Sequence, residues 1–319
     1  MCIRTVALLL SSFFALHYQL SGAADNFPRK PVRIVTGNSP GATPDVLARL
    51  IGAKLAERWK QPVVIENRAG ALGTLASIAV AKATPDGYTL LASSPAFAVR
   101  AALAPSLPYD PIKDFSGVAE LGYSNTVLVV SPGIGVTSVK ALAAFALSNP
   151  GKTFFASASA TSSDRLNTER FRAAIGINAQ HVAFKGQAES IIEIAAGRAH
   201  FTTTGLTTAL SFIKDGKLIP LLQRVHYLPG VPLINEVVPQ WTQIGSQSIL
   251  APANTPLTIR RRISQEIAWA LSLPDIKEKL NVFAFQVTPT TPEETERNLP
   301  RDIAAFAKVI KEIGLKPVN

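Results

Sequence analysis

The sequence predicts an α/β protein in which short buried strands alternate with amphipathic helices. Short apolar runs alternate with helical periodicity along most of the chain, which favours mostly parallel strands covered by helices. Two stretches, 32–49 and 153–174, each read as a strand, a loop of small residues and a helix start. About 295 residues follow a leader segment, which is enough for one large or two medium α/β domains.

Residues 1–24 have the pattern of a secretory signal peptide. Arg4 precedes the apolar run 5–16, which is too short to cross a membrane, and small residues at 22–24 favour cleavage before Asp25. The alternative is an N-terminal core helix. We expect an exported, periplasmic protein whose mature chain does not insert into a membrane. The single cysteine, Cys2, lies in the leader, so the mature chain has no disulfide and no zinc–cysteine site.

The chain is basic, with a formal net charge of +10, but charged residues make up only 17% of it. The densest basic cluster is 260–262, Arg-Arg-Arg, at the start of a predicted helix. Glu266 follows it, which favours a solvated helix face over a phosphate-binding patch. An exported protein rarely meets nucleic acid, so we expect no nucleic-acid partner. A positive field would instead help to attract an anionic metabolite.

The first unit begins with strand 32–35, whose β-branched residues suit a strand buried on both faces. Thr43, Pro44 and Asp45 then predict a helix start: threonine caps free amides, proline presets φ, and aspartate complements the dipole. Asp45 has two open roles, as a ligand contact or as a cap of its own helix. Small residues between strand and helix let a ligand reach unpaired N–H groups. These residues are Gly37, Ser39, Gly41 and Ala42.

The chain up to residue 124 then shows strand 62–65, helix 75–83 and strand 88–92. The last strand ends in Ser93 and Ser94, again small and polar at a carboxyl end. Prolines at 105, 108 and 111 predict a rigid crossing segment.

The middle of the chain repeats the strand–loop–helix pattern. Strand 126–130 and helix 138–148 precede strand 153–156, the small-residue loop 157–163 and a helix opened by Asp164. Strand 181–184, the turn at Lys185 and helix 188–196 follow. A strand then starts at Phe201 and continues into three threonines, 202–204. This composition suits either a polar cavity wall or an edge strand.

The last part is mostly helical. A strand at 218–222 and the segment 249–252 are followed by helices 257–271, 274–280 and one from Thr291 to near Gly314. Because this region lacks its own set of strands, we expect it to pack onto the first domain. The predicted domains are therefore 25–124 with 247–319, and 125–246.

We do not expect this chain to be an enzyme. Residues 37–41 match G-x-S-x-G between a strand and a helix, the context of a nucleophile elbow. However, the residue after Ser39 is Pro40, which has no N–H for an oxyanion hole. The sequence contains no Walker, dinucleotide or zinc-protease motif. We expect binding without chemistry, and neither a metal nor a cofactor.

Many short motifs, in order along the mature chain, resemble the tripartite tricarboxylate transporter receptors, the Bug family of periplasmic solute-binding proteins. The most distinctive are KPVRIV at 30–35 and PDGYTLL at 85–91. The others lie at 40–41 with Asp45, 61–64, 66–68, 107–111, 113–115, 149–152, 184–186, 216–218, 250–252 and 291–294.

The resemblance implies a two-domain Venus flytrap of the type II periplasmic-binding kind, each domain a twisted sheet flanked by helices. It also implies a small carboxylate ligand held by one loop from each domain, matching 39–45 and 157–163 here. The residues expected to bind ligand are Ser39, Gly41, Ala42, Thr43, Asp45, Ser93, Ser94, Ser157, Ser159, Thr161, Ser162, Ser163, Arg165, Lys185 and Thr204.

The sequence departs from the family pattern in both loops. Gly-Ala-Thr-Pro at 41–44 replaces a run of glycines, and Gly37 and Asn38 replace a proline and an aromatic residue. Arg165 replaces a histidine, and Thr204 replaces an aspartate found in many members. The lost acid and the gained arginine suggest a ligand that is more anionic or lacks an ammonium group.

The predicted function is a non-enzymatic receptor that captures a small organic anion, such as a carboxylate, and docks on a membrane permease. The alternative is a signalling receptor that presents the same bound solute to a sensor kinase. The sequence does not mark a docking surface that would separate the two.

Overall fold

The computed structural model describes residues 27–69, 73–104, 106–159, 162–239, 241, 244–282 and 284–316. The predicted leader lies outside these residues. The described strands are β1 Val32–Thr36, β2 Val63–Asn67, β3 Thr89–Ser93, β4 Phe115–Ser124, β5 Thr126–Val130, β6 Phe154–Ser157, β7 Gln180–Ala183, β8 Phe201–Gly205, β9 Ile219–Gln223, β10 Gln247–Pro252 and β11 Phe285–Val287. The described helices are α1 Thr43–Trp59, α2 Thr74–Ala81, α3 Pro95–Leu103, α4 Val139–Ser148, α5 Ser163–Ala174, α6 Gln187–Ala195, α7 Leu206–Lys214, α8 Ile234–Val237, α9 Leu257–Ser272, α10 Pro274–Val282 and α11 Pro292–Glu312.

The strands form two sheets flanked by helices, which confirms the predicted fold class. The first sheet has the order β11-β4-β10-β3-β1-β2, and the second has the order β7-β6-β8-β5-β9. Strands of the first sheet come from both ends of the chain, whereas those of the second come from its middle. The domain boundaries themselves stay a prediction.

Strand pairing is mixed in both sheets and not mostly parallel as expected. β1 pairs parallel with β2 and β3, and β6 pairs parallel with β7 and β8. β10 pairs antiparallel with β3 and β4, and β5 pairs antiparallel with β8 and β9. The reason is the connection between the sheets. β5 and β10 each arrive from the opposite sheet and so run against the strands that end at the interface.

The first sheet is buried on both faces. Ile34 belongs to a core with Leu47, Ile51 and Leu55 of α1, whose four-residue spacing places them on one helix face. Its neighbour Val35 points the other way, into a core built with α2 and α3. Side chains of α9 and α10 complete the first core. The C-terminal helices therefore cover the first sheet.

A separate apolar cluster joins the two halves of the molecule. Leu166 of α5, which is fully buried, packs with Val99 of α3, Phe306 and Ile310 of α11, and Ile244. α5 follows a strand of the second sheet, whereas α3 and α11 belong with the first. We call each sheet with the helices that cover it a lobe. The apolar cluster between the two lobes, the interlobe cluster, lies beside the interface between the sheets.

Six of the described elements were absent from the sequence prediction: β4, β10, β11, α3, α7 and α8. β4 carries Ser116, Gly117 and Glu120, so it has no continuous apolar run. The edge-strand interpretation of 202–204 is wrong, because β8 lies between β6 and β5. The solvated-face interpretation of 260–262 is wrong for Arg260, which is buried and donates to the carbonyls of Thr255 and Gly117. No helix in the described ranges is both long and apolar enough to cross a bilayer.

Candidate functional site

A cavity of about 390 Å³ lies between the two sheets. Described residues from the first half and from the returning chain line one side: Asn38, Gly41, Ala42, Thr43, Pro44, Ser94, Pro95, Ala96, Ser124, Ile244, Gly245 and Gln247. Described residues from the middle of the chain line the other side: Thr126, Ser163, Asp164, Asn167, Gln187, Thr203, Thr204, Gly205, Thr207 and Thr208.

Five helices point their N-termini at this cavity. α1 and α3 approach from the first sheet, and α5, α6 and α7 approach from the second. The side chains of their five N-cap residues accept no hydrogen bond from the helix. By contrast, α4 and α11 are capped by Ser138 and Thr291. The cavity therefore faces the positive ends of five helix dipoles and first-turn N–H groups that no N-cap side chain engages, an arrangement suited to an anion. In α5, the Asp164 carboxylate accepts two of these N–H groups, those of Asp164 and Arg165.

The first loop is held by Asp45, which does not line the cavity. Its carboxylate accepts the Gly41 N–H at 2.9 Å and pairs with Arg49 at 2.9 Å, and Asn67 donates to it at 2.8 Å. Burial opposes ionisation of Asp45, but the bonds from Arg49, Gly41 and Asn67 outweigh it and lower the pKa to about 2. Asp45 is thus an ionised group that organises the loop.

The predicted capping role of Thr43 is wrong. The N-cap position is Ala42, and Thr43 is already the first helical residue. Ala42 has no side-chain acceptor, so it leaves the first amides of α1 without a side-chain partner. Gly41 adopts φ +83°, a left-handed conformation that favours glycine.

The second loop is held by Asp164 in the same way. Its carboxylate accepts the Ala158 N–H at 2.9 Å, matching the Gly41–Asp45 bond of the first loop. The hydroxyls of Ser157 and Ser162 both donate to the Ser159 carbonyl, at 2.8 and 3.0 Å. Burial raises the pKa of Asp164, although its carboxylate accepts hydrogen bonds from the Ser162 hydroxyl and from the N–H groups of Ala158, Asp164 and Arg165. Unlike Asp45, Asp164 also lines the cavity.

The threonines of β8 form a polar cavity wall, as one of the two sequence interpretations expected. Gln187 donates to the Thr204 hydroxyl at 2.7 Å, and the Thr208 hydroxyl donates to Gln187 at 3.1 Å. Behind them, Thr168 and Thr203 share a hydrogen bond of 2.8 Å. Hydroxyl and amide groups of known orientation therefore face the ligand space.

The structure brings six of the predicted site residues to the cavity: Gly41, Ala42, Thr43, Ser94, Ser163 and Thr204. It places eight others around or behind the lining: Ser39, Asp45, Ser93, Ser157, Ser159, Ser162, Arg165 and Lys185. Thr161 lies outside the described residues. Roles in ligand binding stay predictions for all of them.

The cavity lining does not contain the cationic side chain that Arg165 was expected to supply. Arg165 forms an ion pair with Glu169 at 3.7 Å and is not part of the lining. Lysine, arginine and histidine are absent from the described lining residues, and the acid Asp164 is present. Backbone N–H groups, hydroxyls and side-chain amides are therefore the donors for an anion.

Sequence reasoning missed several polar lining residues. Asn167 lies three residues after Asp164 on α5, a spacing that would have placed both on one helix face. Ser124, Thr126 and Gln247 lie at the ends of the strands that connect the sheets. No local motif marks those three, because they reach the cavity only through the sheet topology.

Comparison with known proteins points to one family of receptors. Residues 47–315 match the family model described as tripartite tricarboxylate transporter family receptor. The chain is 32% identical to Protein BugT of Bordetella pertussis over 304 residues, 92% of each chain.

Solved structures share the fold. The Rhodopseudomonas palustris protein Rpa4515, solved with adipate, is 30% identical with a TM-score of 0.80 and covers 92% of this chain and 100% of its own. MatC from the same organism, solved with malate, is 26% identical with a TM-score of 0.72 and covers 89% of this chain and 100% of its own.

Proposed function

The chain belongs to the tripartite tricarboxylate transporter receptor family, a family of solute-binding receptors and not of enzymes, and from that premise we propose that it captures a small organic carboxylate in the cavity between its sheets. The observation that carries this proposal is the convergence of five uncapped helix N-termini on one cavity. A carboxylate there would accept backbone N–H groups in the way that anions do at helix starts.

Two further observations support a carboxylate. Structural relatives at 30% and 26% identity are solved with adipate and with malate, both dicarboxylates. The lining also offers hydroxyl and amide donors, including Thr204 and Gln187, to oxygen atoms that the helix ends do not reach. Binding would favour the closed arrangement of the two lobes, which is a shift between open and closed populations.

Calorimetric titration of the chain from Asp25 onward with adipate and malate tests the proposal, with the matching neutral diamides as controls. We expect the acids to bind and the diamides not to bind, because only the acids carry the charge that the helix dipoles favour. Equal binding of acid and diamide, or no binding of either acid and no thermal stabilisation by other carboxylates, would contradict the proposal.

Thr204→Val is the variant that locates the site. It keeps the side-chain shape and removes one hydroxyl, so we expect about a fivefold loss of affinity from one lost hydrogen bond. Thr153→Val is the matched control, because Thr153 is a fully buried threonine of the second lobe outside the cavity lining. Equal effects of the two variants on affinity would place the ligand elsewhere.

We further propose that the protein works in the periplasm and delivers its ligand to a membrane permease. The exported location rests on the leader pattern of residues 1–24 and on the family. Osmotic-shock release of the chain, with Asp25 as its N-terminal residue, is the expected outcome. Retention of an uncleaved chain in the cytoplasm would contradict it.

A further inference from the structure

A second cavity of about 280 Å³ opens beside the main one, on the side of the first sheet. The two cavities share Asn38, Ser94 and Ala96 in their walls. A Cβ atom on Gly37 would lie 2.5 Å from the Gly73 Cα, so the backbones of the two loops are nearly in contact here. We call this space the side cavity.

The apolar walls of the side cavity are aromatic and rigid. Phe97 and Tyr109 are stacked with ring centroids 6.0 Å apart, and Phe115 packs edge-on against both rings. Leu91, which is 2% exposed, also lines the cavity. These side chains belong to one buried core, so they hold their places whether or not a ligand is bound.

Five described lining residues of the side cavity carry polar side chains, namely Asn38, Ser39, Ser77, Ser94 and Tyr109, and two of these are paired with each other. Tyr109 is hydrogen-bonded to Ser77. The Ser77 hydroxyl in turn donates to the Gly73 carbonyl at 3.2 Å. No charged side chain is among its described lining residues. Leu91, Phe97 and Tyr109 therefore offer apolar contacts to a ring, and no described lining residue offers an ionic partner to a second carboxylate.

We propose that the side cavity is a subsite for an aromatic ring, so that the preferred ligands are aryl or arylalkyl carboxylates. The carboxylate would lie among the helix N-termini, and the ring would pass between Asn38 and Ala96 to meet Phe97 and Tyr109. Aromatic walls offer edge-to-face and offset contacts that an alkyl chain cannot match. The size is sufficient, because an apolar cavity of about 150 Å³ accepts benzene. This inference rests on the proposed carboxylate-binding function.

The test is a titration of the chain from Asp25 onward with two sets of acids. One set is benzoate, phenylacetate and 3-phenylpropionate, and the other is acetate, propionate, malate and adipate. We expect at least one aryl acid to bind at least tenfold more tightly than acetate or propionate. If malate or adipate binds and no aryl acid exceeds the small aliphatic acids, the side cavity is not a ring subsite. If no acid of either set binds, the proposed function fails and this inference with it.

Two variants fill the side cavity from different walls, and neither residue lines the main cavity. Ser77→Leu fills it from α2, and Ala69→Phe fills it from an exposed loop position that tolerates a larger side chain more easily. Each should weaken the best aryl acid about tenfold and leave the aliphatic acid that binds wild type within threefold. Ser148→Phe, an exposed position on α4, adds similar bulk outside both cavities and should change neither. Equal losses for both acid sets, or no loss for the aryl acid in the folded variants, would overturn the proposal.

Discussion

Two aspartates, one beside each face of the cavity, organise the loops in the same way. Asp45 accepts the N–H of Gly41, and Asp164 accepts the N–H of Ala158, both at 2.9 Å. Each acid belongs to the first turn of the helix that follows its loop. Asp45 thus orders its loop without occupying the N-cap position, whereas Asp164 orders its loop and also accepts the N–H groups of Asp164 and Arg165 in the first turn of its helix.

Asp45→Asn should destabilise the protein by about 2 kcal/mol at pH 7. The pKa of Asp45 is about 2 in the folded state, below the value of about 3.9 expected in the unfolded chain. Its contribution is therefore fully present above pH ~4 and is lost as the pH falls towards 2. Urea denaturation from pH 7 to pH 2.5 measures this, and the difference in unfolding free energy between wild type and variant should shrink towards the acid end.

Asp275→Asn is the control for this prediction. Asp275 pairs with Lys54 at 2.9 Å, but its side chain is half exposed, so water screens the pair. We expect a smaller loss than for Asp45→Asn. Equal losses for the two variants at pH 7 would show that the loop bonds of Asp45 add nothing.

Asp164 should make ligand affinity depend on pH. Burial already raises its pKa, and a bound anion nearby would raise it further, so binding takes up protons. We expect wild type to bind malate more tightly as the pH falls from 7 to 5, relative to Asp164→Asn, which cannot titrate. Protonation of malate itself affects both proteins alike. Identical pH profiles in parallel calorimetric titrations would contradict this role.

At the scale of elements, uncapped helices explain part of what sequence reading missed. α1 was predicted from Thr43, Pro44 and Asp45, α5 from Asp164, and α6 from the helical run after the turn at 185–186. α3 begins at Pro95 after Ser94, residue types that do mark a helix start, whereas α7 begins at Leu206 after Gly205, which has no capping side chain. In α7, the lack of a capping side chain leaves the first amides open towards the cavity and also removes the local signal by which a helix start is recognised.

The buried Arg260 shows a second limit of pattern reading. Its sequence context, three arginines followed by a glutamate, is typical of a solvated face. In the fold it donates to the carbonyls of Thr255 and Gly117 and pairs with Glu296 at 2.7 Å. These bonds tie α9 to β4 and α11, and no local spacing predicts partners that are 36 and 143 residues away.

α5 is the element that couples the cavity to the interlobe cluster. Its first turn lines the cavity, and Leu166, one turn later, is fully buried against Phe306 and Ile310. We expect Leu166→Ala to cost about 3 kcal/mol in unfolding free energy, as large-to-small core substitutions do. It should also weaken ligand binding and enlarge the radius of gyration in solution scattering, because the contact between lobes is lost.

Leu142→Ala is the matched control for Leu166→Ala. Leu142 is equally buried but packs within the core of the second lobe. Its loss of unfolding free energy should be similar, with no change in scattering or affinity. Indistinguishable scattering from the two variants would show that the interlobe cluster does not hold the lobes together.

At the scale of the whole molecule, the sequence was sufficient for the fold class, the two loops and the family. It was not sufficient for the cavity lining, since Ser124, Thr126 and Gln247 reach the ligand space only where strands cross between sheets. It also overestimated the part that cationic side chains play in the site. The formal net charge of the chain is +10, but no described lining residue is a lysine, an arginine or a histidine. That charge acts on an approaching anion at long range, whereas backbone dipoles act on the bound one.

The antiparallel pairing of β10 with β4 also bears on how such a chain can be built. β4 leaves the first sheet at Ser124, and β10 re-enters it at Gln247, which pairs with Gly122. The two strand ends are therefore neighbours, as the arms of a hairpin are. In genetic terms, we predict that the second lobe is an insertion at a single point of the first. A tight turn joining those two ends could replace it, leaving a sheet with all six of its strands.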